Sequence, residues 1–218
     1  MSILRRVLGP KVPREVAAAH PELYQRPVRL LVGAAVLLLI SLLLPYWVLH
    51  LAAPQFPGGL RVVAFVDRLE GDVHELEGLN HYVGLGSFDD AATFERSIAV
   101  YSILGLAALV VAGTAIHSRW VLVLALPALL LPVVFVADLQ YWLYRFGNDL
   151  DPAAPFASAV GPFTPPVFGR AKIAQFETLA LPGWGLVLAV GASALIAWAL
   201  VSHRRAYKPL LDAGEGDA

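Results

Sequence analysis

The chain has 218 residues, of which 58% are hydrophobic and 15% charged, and its formal net charge is −1. Soluble domains have about 45–50% apolar and about 25% charged residues, so this composition indicates a membrane protein. The near-neutral charge predicts no nucleic-acid partner. The absence of cysteine excludes disulfides, thiolate metal sites and iron–sulfur clusters, and the single methionine, Met1, leaves almost no sulfur ligands for Cu(I).

Four long apolar runs predict four transmembrane helices embedded in membrane lipid. Each is close to the ~20 residues that cross about 30 Å of hydrocarbon, where the backbone must satisfy its own hydrogen bonds. The predicted spans cover residues 28–49, 98–116, 120–137 and 181–201. Because only residues 117–119 separate the second span from the third, we expect these two to form an antiparallel hairpin.

The charge distribution predicts the orientation of the spans. Residues 1–29 hold six Lys or Arg residues, whereas residues 50–97 hold three basic and eight acidic residues. By the positive-inside rule, we expect both termini on the cytoplasmic side of the inner membrane. The expected organisation is a cytoplasmic segment (1–27), a transmembrane domain (28–201) with outer segments 50–97 and 138–180, and a cytoplasmic tail (202–218).

The first outer segment is predicted to contain a small β-hairpin. Residues 60–78 have a strand-type composition that is interrupted by "EGD" at 70–72, which favours a turn at that point. The sequence "GLNHYVGL" (78–85) follows at once and is flanked by Gly78 and Gly84. We therefore expect it to form a compact loop that closes the hairpin.

The second outer segment is predicted to begin as a continuation of the third span. Asp138, Trp142 and Arg145 share a helical face by their spacing, and Gly147 is expected to end the helix. "NDLDP" (148–152) predicts a turn, and "VGPFTPPVFGR" (160–170) predicts a proline-rich extended loop. Residues 171–185 are predicted to form a short amphipathic helix that leads into the fourth span.

His81 has two interpretations. It could be a metal ligand or proton carrier at the outer membrane surface. Alternatively, Asn80 and His81 hydrogen-bond the backbone of their own turn while Tyr82 anchors in the interface. A lone histidine in a turn is more often structural than chemical, and its spacing from His50 and His74 matches no zinc pattern.

Three carboxylates also have two interpretations each. Asp138 lies where the third span leaves the apolar region, and ionisable groups at that depth are costly and often functional. Its structural alternative is an ion pair with Arg145 or Lys172. Asp149 and Asp151 could cap turns, or they could join His81 in an oxygen and nitrogen site for a divalent ion. The metal ligands predicted from this reasoning are His81, Asp138 and Asp151.

Motifs of nucleotide, protease and haem chemistry are absent from the sequence. It has no Walker loop, GxGxxG, HExxH or CxxCH motif, and charged residues are nearly absent from the middle of each span. We therefore expect the chain not to be an enzyme, ion pump or proton channel.

Four stretches together resemble a family of small four-span membrane proteins. They are "APQFPGGL", "GLNHYVGL", "ADLQYWLYRFGNDLDPAAP" and "PFTPPVFGRAKIAQFETLALPGWG". Members of that family are encoded beside maturation genes of nitrous oxide reductase, often next to a copper-chaperone lipoprotein. The resemblance covers about residues 30–200. The positions in the two central motifs that match include Asn80, His81, Tyr82, Gly84, Asp138, Asn148 and Asp151.

The resemblance implies an accessory role in maturation or copper supply of an extracytoplasmic respiratory metalloenzyme such as nitrous oxide reductase. A copper chaperone or the enzyme itself would be the partner, and copper the metal. Two positions depart from the family: Leu85 stands where methionine is frequent, and Asp149 where a histidine-containing run is expected. Either copper is not bound by this chain alone or the motif is structural. The alternative function is a structural or assembly subunit of a larger membrane complex without metal.

Overall fold

The computed structural model describes residues 8–9, 12, 15, 19–88, 90–155, 157–173 and 175–216. The fold is mostly helical, with a small antiparallel sheet. In chain order the described elements are α1 (Pro21–Ser41), β1 (Trp47–Ala53), β2 (Phe56–Ala64), β3 (Leu69–Gly71), α2 (Val73–Val83), α3 (Thr93–Gly113), α4 (Trp120–Asn148), α5 (Ala157–Val160), β4 (Gly169–Ile173), β5 (Phe176–Pro182) and α6 (Trp184–Gly216).

Four of the described helices, α1, α3, α4 and α6, are long and apolar enough to cross a membrane. Each corresponds to one predicted span, but α1 begins at Pro21 rather than residue 28 and ends at Ser41 rather than residue 49. The early end follows from hydrogen bonding, since the Tyr46 backbone N–H donates to the Ala64 carbonyl at 2.8 Å. Residues 42–46 form turns and bends, and "WVLHLAA" forms β1 (Trp47–Ala53) instead of the end of a helix.

The chain divides into two compact units. The helical unit comprises Met1–Ile40, Tyr101–Pro132 and Leu188–Ala218, and the sheet unit comprises Ser41–Val100 and Val133–Val187. In the helical unit, the Ser193 hydroxyl donates to the Leu129 carbonyl at 3.0 Å, and the Arg26 guanidinium lies 4.7 Å from the centre of the Trp198 ring.

The sheet unit joins both predicted outer segments in one five-stranded sheet, counted over the described residues. The strand order is β3-β2-β1-β5-β4, and each pair of neighbours is antiparallel. Strands β1–β3 come from the first outer segment, and β4 and β5 come from the second. The pairing of β1 with β5, from Trp47 opposite Pro182 to Ala52 opposite Glu177, therefore connects the two segments.

One face of β2 forms the core of the sheet unit. Leu60, Val62 and Ala64 alternate along the strand and are all buried, as expected for a strand with one covered face. Leu60 and Val62 pack with Leu76 of α2. Ala64 joins a second cluster with Trp47, against which side chains of α4 pack.

The predicted hairpin turn at 70–72 is wrong. Strand β2 ends at Ala64, and the β2–β3 connection turns where the Phe65 N–H donates to the Arg68 carbonyl at 2.9 Å. The expected second strand is instead helix α2, which buries Leu76, Asn80 and Val83 at helical spacing. The sequence concealed this period because one of the three inward positions is a polar asparagine.

The predicted amphipathic helix at 171–185 is also wrong, because these residues form most of the hairpin β4–β5. Strand β5 pairs with β4 on one side and with β1 on the other. Tertiary pairing with a distant strand overrides the local helical preference of "AKIAQFETLAL". The proline-rich loop predicted for 160–170 is confirmed for residues 161–168, which contain no helix or strand. It is wrong at its ends, because Val160 belongs to α5, and Gly169 and Arg170 begin β4.

Candidate functional site

The motif "GLNHYVGL" forms the second half of helix α2 and its C-terminal cap, so the predicted closing loop is wrong. Gly84 adopts a left-handed conformation with φ of 85°, which glycine enters without the steric penalty of a Cβ. The backbone N–H groups of Gly84 and Leu85 both donate to the Asn80 carbonyl, at 2.8 and 3.0 Å. The motif therefore ends a helix and directs the chain into the next segment.

The polar residues of this motif have opposite environments. Asn80 is only 3% exposed, whereas His81 is exposed and Tyr82 is 58% exposed. The expected bond from the Asn80 side chain to its own turn does not form, since among the described residues its buried amide nitrogen has no hydrogen-bond partner. The carbonyl of Asn80, and not its side chain, holds the cap.

Gly84 joins the motif to the second outer segment. The backbone N–H of Asp151 donates to the Gly84 carbonyl at 2.8 Å. A Cβ on Gly84 would lie 2.7 Å from the Asp151 carbonyl oxygen and 2.9 Å from Cβ of Ala154. One Asp151 carboxylate oxygen accepts the Ala153 N–H at 2.9 Å, which confirms the predicted role of Asp151 as a turn cap.

Gly147 and Asn148 make a second junction, with the proline-rich loop. The Phe163 N–H donates to the Gly147 carbonyl at 2.9 Å, and a Cβ on Gly147 would collide with the Phe163 carbonyl oxygen. The Asn148 amide nitrogen lies 2.9 Å from the Tyr144 carbonyl and 3.1 Å from both the Phe163 carbonyl and the Thr164 hydroxyl. Gly147 is therefore required for close approach, and α4 continues one residue past the predicted end.

The expected ion pair of Asp138 with Arg145 or Lys172 does not form in the described structure. Arg145 instead lies 3.6 Å from the Asp149 carboxylate, and Lys172 lies 3.9 Å from Glu177. The Arg145 guanidinium also lies 5.5 Å from the centre of the Trp142 ring, as their predicted shared face allows.

Asp138 and Trp142 lie one helical turn apart in α4 and are both partly buried. The indole N–H of Trp142 is a buried donor without a partner in the described residues.

The predicted metal ligands His81, Asp138 and Asp151 are not brought together. Across the described ranges, no group of three or more His, Cys, Asp or Glu side chains lies close enough together to hold a metal ion. Gly84, and not His81, makes the link to Asp151. Within the sheet unit, Gly84 and Asp151 therefore connect the end of α2 to the turn after α4.

The helical unit contains a cluster of titratable residues that the sequence did not predict. The His203 Nε2 atom lies 2.9 Å from the Ile116 carbonyl, and the Tyr207 ring lies 4.5 Å from the His203 ring and 4.8 Å from that of His117. Burial lowers the pKa of His117. The signal was the position of both histidines at span ends that the positive-inside rule assigns to the same membrane side.

Comparison of the sequence with models of known protein families finds no match, and comparison with curated proteins finds no relative.

Proposed function

We propose that this chain is an integral membrane accessory protein whose sheet unit docks a partner outside the membrane. The partner would be a respiratory metalloenzyme during its maturation, such as nitrous oxide reductase, or a chaperone that serves it. The resemblance of the four sequence stretches supports the choice of enzyme. The folded sheet unit, built from both predicted outer segments, supports the docking role.

One observation carries the preference for docking over metal chemistry. The motif residues that carry the resemblance act as connectors: Gly84 bonds to Asp151, and Gly147 and Asn148 bond to Phe163. Residues used in this way fix the shape of a surface and do not present ligands to an ion. Copper, if the process requires it, would then be delivered by the partner protein, and this chain would contribute position and contact.

The proposal is tested by deleting the gene in its native host and measuring the copper content and activity of the reductase. We expect loss of activity and under-loading with copper, both restored by a plasmid copy of the wild-type gene. Unchanged copper content and activity would sink the proposal. Recovery of the chain in constant stoichiometry with a mature respiratory complex, together with unchanged loading, would favour the structural-subunit alternative.

A further inference from the structure

Strand β4 has a free edge. The strand order places β3 and β4 at the two edges of the sheet, but β3 has only three residues and is followed by α2 after one residue. Strand β4 has five residues and is largely exposed. In the described part of the chain, no hydrogen bond reaches the side of β4 that faces away from β5.

The register identifies which backbone groups face outward. Ile173 pairs with Phe176, so two residues separate the strands in sequence, and the pair that flanks such a short connection normally exchanges both backbone hydrogen bonds. Alternation along the ladder then turns the N–H and C=O groups of Arg170 and Lys172 away from β5. The Thr178 hydroxyl donates to the Ala171 carbonyl at 3.3 Å, which agrees with an inward-facing Ala171.

The two residues with outward backbone groups are both basic. Arg170 and Lys172 are separated by one residue, so their side chains project from the same face of the strand. Arg170 has no ion-pair partner among the described residues, and Lys172 has only a pair of 3.9 Å with Glu177, in which both side chains are about 70% exposed. Such exposed pairs contribute little, so the edge keeps most of its positive charge.

We propose that the free edge of β4 binds an extended acidic segment of a partner protein as a sixth strand. Its backbone would pair with Arg170 and Lys172, and its alternate carboxylates would lie beside their side chains. This inference rests on the proposed docking function and names the surface that performs it. Pairing of β4 with β4 of a second copy is disfavoured, because like charges would then lie side by side.

The binding test uses the full chain in detergent and two fluorescent hexapeptides. One alternates glutamate with valine, and the other alternates lysine with valine. We expect the acidic peptide to bind at least about tenfold more tightly than the basic peptide, with an affinity that falls as salt is added. A third peptide, acidic but with alternate backbone amides methylated, should bind about tenfold more weakly because it cannot pair as a strand.

Three variants separate charge from strand pairing. Arg170→Gln with Lys172→Gln removes the charge, and Lys172→Pro removes an outward N–H at an edge position where proline is tolerated. Each should weaken binding of the acidic peptide about tenfold or more. Arg68→Gln is the matched control, because Arg68 is an exposed basic residue that already forms an ion pair with Glu70. The Arg68→Gln chain should bind the acidic peptide as tightly as the wild type does. Equal binding of acidic, basic and methylated peptides, or no effect of the β4 variants, would overturn the proposal.

Complementation separates this inference from the proposed function. Suppose that deletion impairs the reductase, and that activity is restored by the Arg68→Gln gene but not by the Arg170→Gln, Lys172→Gln gene. The proposed function and this inference are then both supported. If the β4 variant restores activity fully, docking occurs elsewhere and only this inference falls. If the β4 variants change binding to vesicles of anionic lipid and not to the acidic peptide, the edge contacts membrane and the inference is wrong.

Discussion

The backbone N–H of Asp151 donates to the carbonyl of Gly84 at 2.8 Å. This bond links the end of helix α2 to the turn that follows α4, and so connects the two motifs on which the family resemblance depends most. His81 lies three residues before Gly84 and is exposed. This second link between the two predicted outer segments, beside the pairing of β1 with β5, therefore depends on backbone groups and on the left-handed conformation of Gly84.

Gly84→Ala tests this junction. The new Cβ would meet the Asp151 carbonyl and Ala154, and φ of 85° is unfavourable for alanine, so we expect a loss of at least about 1–2 kcal/mol in the free energy of unfolding. The measurement is denaturant unfolding in detergent. Gly78→Ala in the same helix is the control, since nothing lies within 4 Å of its Cβ, and it should stabilise by up to about 1 kcal/mol. Equal effects of the two substitutions would contradict the junction.

Asn148→Ala tests the contact with the proline-rich loop. The amide donates to acceptors on α4 and on the loop, and its loss should cost about 0.5–1.5 kcal/mol and make cleavage of the loop by protease faster. Asp149→Asn is the neighbouring control, because its exposed pair with Arg145 should contribute less than about 1 kcal/mol. If protease cleaves the loop no faster in Asn148→Ala than in the wild type, the Asn148 amide does not hold the loop.

Trp47→Phe tests the contact between β1 and the same loop. Trp47 is 6% exposed, and its indole N–H donates to the Val167 carbonyl at 2.7 Å. Phenylalanine keeps an aromatic ring but leaves that carbonyl without its donor, so we expect destabilisation of about 1–3 kcal/mol. Trp184→Phe, at a site 71% exposed, should change stability by less than about 0.5 kcal/mol. If Trp47→Phe lowers the free energy of unfolding no more than Trp184→Phe does, the hydrogen bond from Trp47 to Val167 does not stabilise the fold.

The stability of the helical unit should depend on pH through His117. Burial lowers the pKa of this imidazole below its usual 6.5, so the unfolded chain takes up the proton at higher pH than the folded protein. The stability that neutral His117 contributes is complete at a pH above 6.5, the ordinary pKa of histidine. This stability is lost as the pH falls from 6.5 toward the lowered pKa of the folded state. We expect the melting temperature to fall between about pH 7.5 and about pH 5, where histidine titrates.

His117→Phe should reduce this pH dependence while keeping a ring beside Tyr207. His203 lies against the same tyrosine, so some dependence should persist in the variant. His20→Gln is the control, because that histidine is exposed, and its pH profile should match wild type. Identical profiles for His117→Phe and wild type would show that His117 does not contribute.

The four helices that are long and apolar enough to cross a membrane were predictable because each is a local apolar run of sufficient length. Strand β1 was not, because "WVLHLA" continues an apolar run and only its pairing with β2 and β5 makes it a strand. The same non-local pairing converted the predicted helix after residue 170 into β4 and β5. Helix α2 was missed because Asn80 occupies a buried position.

The candidate site was predictable as a set of motif positions but not as an arrangement. Gly84, Asn148 and Asp151 were singled out, and each makes a defined contact. Their partners Phe163 and Thr164 lie in a stretch that was predicted only as an extended loop, and the course of that loop depends on contacts with α4. The sequence indicated candidate positions, and the contacts show that Gly84, Asn148 and Asp151 connect segments of the sheet unit.

We propose that the motif residues build a docking surface and that His81 does not bind a metal ion. The most direct measurement is the copper content of nitrous oxide reductase purified from a deletion strain that carries His81→Ala. We expect copper content and activity equal to those restored by the wild-type gene, with the chain present in the membrane at equal amount. Copper content as low as in the uncomplemented deletion strain, at equal amount of the variant chain, would contradict it.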